Sequence, residues 1–141
     1  MKRHIEILII LLFFSIISYS QNVNIKETKV IRINDGDSTF IAKVFEININ
    51  KKNAYIINPI MNYLDIKGGK QKYPIKVTKE NWKIISNLLL EINFSDYEKV
   101  VIENNGYSIT LFFEDSKGII YTTTVESELM KLKEIIKILR E

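Results

Sequence analysis

The sequence predicts an α+β fold: an antiparallel sheet of about six strands with two helices packed on one face, in the order β-β-β-α-β-β-β-α. Three observations predict it. Short runs rich in Val, Ile, Thr, Tyr and Phe are separated by Asn-, Asp- and Gly-bearing turn signals. Two longer stretches, one around Trp82 and one around Leu132, carry apolar residues at helical spacing. The succession of three strands and a helix occurs twice.

Residues 25–33 read as the first strand. Asn34-Asp35-Gly36-Asp37 follows, and Asp-Gly is a strong signal for a tight hairpin. Residues 38–49 form the second strand, and its apolar parity switches. Phe40, Ala42 and Val44 share one face, whereas Phe45, Ile47 and Ile49 share the other. A bulge near Val44-Phe45 would accommodate the switch. A turn over 50–53 leads to a third strand, 54–58, ended by Pro59. Residues 59–77 are punctuated by Pro59, Gly68, Gly69 and Pro74. A structureless loop of that length is uncommon, so short strands are expected near 63–66 and 73–77.

Thr78 is a good N-cap, with Glu80 in the first turn where the helix dipole favours an acid. Trp82, Ile85, Leu89 and Ile92 then make the apolar stripe of a helix over 79–92. Residues 97–103 read as a strand and Asn104-Asn105-Gly106 as a hairpin turn. Tyr107, Ile109, Leu111 and Phe113 alternate along the next strand. A turn over 114–118 precedes a strand over 119–125, rich in β-branched residues. Ser127 is expected to cap a last helix striped by Leu129, Leu132, Ile136 and Leu139. The repeated order suggests two topologically similar halves. The sheet face away from the helices, carrying Ser108, Thr110, Thr122 and Thr124, is expected to meet solvent or a partner.

The chain has 141 residues, a length that suits one domain. It begins with Lys2 and Arg3, an apolar run from Ile7 to Ile17 broken by Ser15, and then Ser18-Tyr19-Ser20. That is the layout of a signal peptide cleaved before Gln21. The expected organisation is a leader over 1–20 and a single α+β domain over 21–141, periplasmic or extracellular. The apolar run is short for a spanning helix, so a membrane partner is expected only if the leader stays uncleaved.

Composition narrows the chemistry. There is no Cys, which removes disulfides, zinc-thiolate sites, Cys nucleophiles and the usual attachment point of a lipoprotein. The single His is His4, inside the leader. A mature chain without His or Cys has no Ser-His-Asp or Cys-His apparatus and few ligands for transition metals. No metal and no cofactor is implied. Removing Lys2, Arg3 and Glu6 with the leader leaves 18 basic and 16 acidic side chains, a net charge of +2. So small a charge does not predict nucleic acid as a partner.

Four local patterns could carry chemistry. Asn34-Asp35-Gly36-Asp37-Ser38 resembles part of a calcium loop, but Phe40, Ile41 and Ala42 stand where further oxygen ligands belong. Glu114 and Asp115 are adjacent and precede Ser116-Lys117-Gly118, so they read as a turn rather than a glycosidase pair. Lys67-Gly68-Gly69-Lys70 lacks the Ser or Thr and the following helix of a phosphate loop. The wider stretch holds Lys67, Lys70, Lys72, Lys76 and Lys79 with no acid among them, interleaved with Tyr63, Tyr73 and Pro74. Basic and aromatic residues together on a loop suit an acidic protein or a glycan. Lys67, Lys70, Lys72 and Tyr73 are therefore the candidate binding residues.

V-T-K-E-N-W-K-I-I over 77–85, N-N-G-Y-S-I-T-L over 104–111 and the closing helix resemble small uncharacterised exported proteins of bacteria, with a Trp-bearing helix and a terminal meander. The resemblance covers about half of the chain. It implies no activity and carries over no functional residue. The resulting expectation is an exported, non-enzymatic binding module for a protein or a surface polymer, with an immunity- or inhibitor-type protein as one concrete form. Two alternatives stand beside it. One is a small hydrolase using carboxylates without His or Cys, and the other is a membrane-tethered envelope component.

Overall fold

The structure is a computed structural model that describes residues 23–36, 43–57, 72–101, 106–114 and 117–141. The expected leader, the expected strand near 63–66 and the Asn104-Asn105 turn residues lie outside the described residues. A 3-10 turn at Ile25–Glu27 precedes strands β1 (Val30–Asn34), β2 (Val44–Asn48), β3 (Asn53–Ile57) and β4 (Lys72–Ile75). Helix α1 (Lys79–Leu90) follows, and then β5 (Glu98–Val100), β6 (Ser108–Phe112), β7 (Ile119–Thr122) and helix α2 (Glu126–Arg140).

The strands form one antiparallel sheet of seven, in the order β4-β3-β2-β1-β6-β7-β5. The α+β class and the two helices match the sequence reading. Among the described residues the strands number seven rather than about six, and the additional one, Lys72–Ile75 on the outer side of β3, lies where a short strand near 73–77 was expected. The halves are not alike. The first runs as a meander outward from β1, whereas β5 lies at the far edge and β6 returns to the centre beside β1. The strands flanking Asn104-Asn105-Gly106 are therefore not hairpin partners, since β7 separates them.

One face of the sheet follows from simple alternation. Ile31 and Ile33 of β1 stand opposite Ile47 and Phe45 of β2, and opposite Leu111 and Ile109 of β6. All six have no exposed surface. They share one core with Trp82, Ile85 and Leu89 of α1 and with Leu132, Ile135, Ile136 and Leu139 of α2. Each helix turns the stripe that its spacing predicts toward this face, with Leu129 at the start of α2 only half-buried. Thr78 caps α1 as expected, its side chain accepting the Asn81 N–H at 3.1 Å. The N-cap of α2 is Val125 and not Ser127, and no side chain caps it. The Val125 N–H donates instead to the Thr123 hydroxyl at 3.1 Å.

The second face corrects the expectation of a wet, polar surface at Ser108 and Thr110, whereas Thr122 is half-buried and Thr124 exposed. Ser108 and Thr110 are buried, and so are Val30, Val44, Ile57, Phe112 and Ile120 beside them. The parity switch in β2 has the same cause. Val44 and Phe45 pair with consecutive residues, Ile57 and Ile56, so the ladder is regular and contains no bulge. Both side chains are apolar because both faces of the strand are buried.

The Asp-Gly signal also has a different use. Asn34 pairs with Val44, and the Asp35 N–H donates to the Lys43 carbonyl at 2.9 Å, so Asp35-Gly36 is not the centre of a two-residue turn. A Cβ on Gly36 would stand 2.4 Å from the backbone carbon of Gly106. Glycine is required there because two chain segments meet backbone to backbone. Asp35 itself is buried and paired with Arg140 in the last turn of α2.

Candidate functional site

Of the four residues singled out from sequence, Lys67 and Lys70 lie outside the described residues. Lys72 and Tyr73 lie on β4, at one edge of the sheet. Tyr73 is 59% exposed. Lys72 is already committed: its ammonium donates to Glu46 Oε1 at 2.6 Å and lies 5.9 Å from the centre of the Tyr55 ring. Pro74 follows and pairs with Tyr55. Lys and Pro on an outermost strand are the residues that discourage a further strand from adding, since Pro offers no N–H and Lys resists burial. The Lys-Tyr-Pro run therefore reads as protection of an edge.

Glu46 belongs to a charged row across the second face. Arg32 and Glu46 are directly opposite in register, and Arg32 Nε donates to Glu46 Oε2 at 2.9 Å. Arg32 is 1% exposed and its guanidinium lies 4.6 Å from the centre of the Phe112 ring. A Cβ on Gly118 would stand 2.7 Å from that ring. The order Gly118, Phe112, Arg32, Glu46, Lys72 is thus a continuous stack. Burying a cation this deeply is tolerable only because a carboxylate and an aromatic face receive it.

The opposite edge offers a concave surface. The β5, β6 and β7 ends nearest α2 enclose a groove of about 710 Å³. It is lined by Ser95–Glu98 before and in β5, by Gly106 and Tyr107 ahead of β6, by the Thr122–Val125 link from β7 to α2, and by Leu129. That size falls inside the range of about 300–1,000 Å³ typical of ligand pockets.

Local hydrogen bonding builds one wall of it. Asn93 accepts the Ser95 N–H at 3.3 Å and the Ser95 hydroxyl at 2.7 Å, and its amide donates to Asp96 Oδ2 at 2.9 Å. The Thr123 hydroxyl donates to the Asp96 carbonyl at 2.6 Å. Behind that wall, the buried Glu128 accepts the Asn93 N–H at 3.1 Å and Lys131 at 2.6 Å, and Lys131 donates to the Glu91 carbonyl. These bonds fasten the end of α1 to the first turns of α2 and hold the groove in shape.

Tyr97 borders the groove with its hydroxyl buried and without a hydrogen-bond partner. Desolvation, with the charges of Glu128 and Asp96 adding to it, pushes this phenol above its ordinary value, so Tyr97 stays neutral across the physiological range. Burial raises Tyr121 as well, beside Phe94, whose ring centre is 5.1 Å away.

Glu98, Thr122 and Thr124 contribute the groups available to a ligand. Glu98 and Thr122 are directly opposite across β5 and β7, and Thr124 lies two residues farther on. None of these residues stood out in the sequence, where Thr122 and Thr124 were only members of an expected polar face. Among the described residues, no group of three or more His, Cys, Asp and Glu side chains could hold a metal ion, and no helix is long and apolar enough to cross a membrane. No family model, curated protein or solved structure matches the chain.

Proposed function

We propose that this chain is an exported, non-enzymatic binding module and that the groove beside β5 and β7 is its recognition surface. The observation that carries the reading is the groove itself: a concavity of about 710 Å³ whose Glu98, Thr122 and Thr124 side chains are not consumed by the hydrogen bonds that build its wall. The arrangement favours holding a ligand over cleaving one. A carboxylate hydrolase needs one acid kept neutral by apolar surroundings. Here Glu98 is exposed and Asp96 is already held by Asn93. The expected export supports a partner outside the cytoplasm, either a protein or a surface polymer.

The test is an affinity capture from envelope and medium with the chain as bait. Thr124→Arg places a long cation in the groove at an exposed position, and Lys76→Glu alters the far edge. A ligand retained by the native chain and by Lys76→Glu, and lost by Thr124→Arg, is the expected result. Retention by Thr124→Arg would remove the groove from consideration. Lys72→Glu is not a clean control, because it would bring a second carboxylate against Glu46.

A further inference from the structure

The groove's ligand class can be read from what its lining offers. Among the described residues eleven line it, and none of these is Lys or Arg, although the chain carries 20 such residues. A phosphate, sulfate or acidic polymer would find no charge-assisted donor among these eleven residues. Asp96 and Glu98 are acceptors, and the Thr122 and Thr124 hydroxyls can both donate and accept. Acceptors outnumber donors, so a matching ligand must bring several O–H or N–H groups of its own.

The spacing separates two such ligands. Glu98 faces Thr122 across neighbouring strands, a separation of roughly 5 Å between Cβ atoms. Thr124 lies two residues beyond Thr122, and Asp96 two residues before Glu98. Each step displaces the next group by roughly 6–7 Å where the chain is extended. An ammonium concentrates its donors at one point, whereas a sugar ring distributes hydroxyls around its rim at separations of this order. One further feature suits a sugar: Tyr107 gives the lining an aromatic surface for apolar C–H faces. The cation near Tyr107 is Lys133, whose ammonium lies 5.4 Å from the ring centre.

We infer that the groove binds a neutral saccharide, with Glu98, Thr122 and Thr124 as its hydrogen-bonding residues and Tyr107 as its stacking surface. The inference rests on the groove being the recognition surface. It is tested by calorimetric titration of the full chain with a panel of neutral hexoses, N-acetylhexosamines and their oligomers, beside putrescine as an amine probe and inorganic sulfate as an anion probe. Saturable binding of a panel member, weakened about tenfold by Thr122→Val, restored by Thr122→Ser and abolished by Thr124→Arg, is the expected result. Binding of putrescine or sulfate with no saccharide bound would overturn it, as would silence across the panel. Saccharide binding that Thr122→Val and Thr124→Arg leave unchanged would equally place the sugar elsewhere. If the capture experiment depends on Thr124 while the panel is silent, the saccharide fails and the groove stands. If capture ignores Thr124→Arg, the groove fails as well.

Discussion

The two faces of the sheet are both buried at the centre, one by apolar residues alone in its central strands and the other by apolar residues interrupted by a charged and polar row. On the helix side, Ile31, Ile33, Phe45 and Ile47 belong to one apolar core cluster. On the other side, β1 and β2 present Arg32 and Glu46, and the adjoining β6 presents Ser108 and Thr110, all at 1–4% exposure. The first face is held by area removed from water and by close packing. The second adds to its apolar residues a charged row in which Arg32 and Lys72 both donate to Glu46, so part of its stability depends on pairs as well as on volume. A face of the second kind is specific but intolerant of losing one member.

The comparison breaks most severely at Phe45. Phe45→Ala leaves a large void on the helix side and should cost about 4 kcal/mol, measured by urea denaturation. Next is Glu46→Leu, which withdraws the carboxylate from Arg32 and Lys72 and should cost about 3 kcal/mol. The double change Arg32→Met with Glu46→Leu should cost less than the sum of the single changes, because it removes both charges together. Strict additivity would show that the pair contributes nothing as a pair. Gly118→Ala, which pushes a methyl group against the Phe112 ring, should cost about 2 kcal/mol by the same measurement.

The smallest effect is expected at Tyr97. Its hydroxyl has no partner, so Tyr97→Phe should change stability by less than about 0.5 kcal/mol at neutral pH. The difference should grow in alkali. The folded state raises the Tyr97 phenol above its ordinary value near 10, so the neutral form is favoured by folding. That contribution is complete below pH 10 and is lost as the pH climbs past it. Native protein should therefore lose stability relative to Tyr97→Phe above about pH 10, and parallel pH profiles would contradict the burial of this group.

Helix α1 was legible because its evidence is local: a capping Thr, an acid in the first turn and a stripe at one period. The strands were legible for the same reason, apart from their ends. Strand order was not, because the pairing of β1 with β6 joins residues about eighty positions apart and no local pattern encodes it. The second face was misread because Ser108 and Thr110 look like solvent positions. A sign of the truth was present in Val30, Val44, Phe112 and Ile120, apolar residues on the same parity. The stretch from Lys67 to Lys79 stood out as five lysines with no acid among them, whereas the partner of Lys72 is Glu46, 26 positions away, which no local pattern signals. The groove could not be seen at all, since Asp96, Glu98, Tyr107 and Thr124 come from separate segments and meet only when the sheet has formed.

The central place of β1 has a consequence in time. A ribosome delivers residues 30–34 early and residues 108–112 late, so the first strand made must wait for nearly the last before its second side is occupied. During that interval β1 is a temporary border of the sheet, and its sequence, Val-Ile-Arg-Ile-Asn, has neither the Pro nor the Lys that guards the permanent border at β4. A nascent chain halted before residue 108 thus exposes the very strand most able to recruit another copy. Premature termination or any delay in the second half should convert this protein into aggregates nucleated at Val30–Asn34.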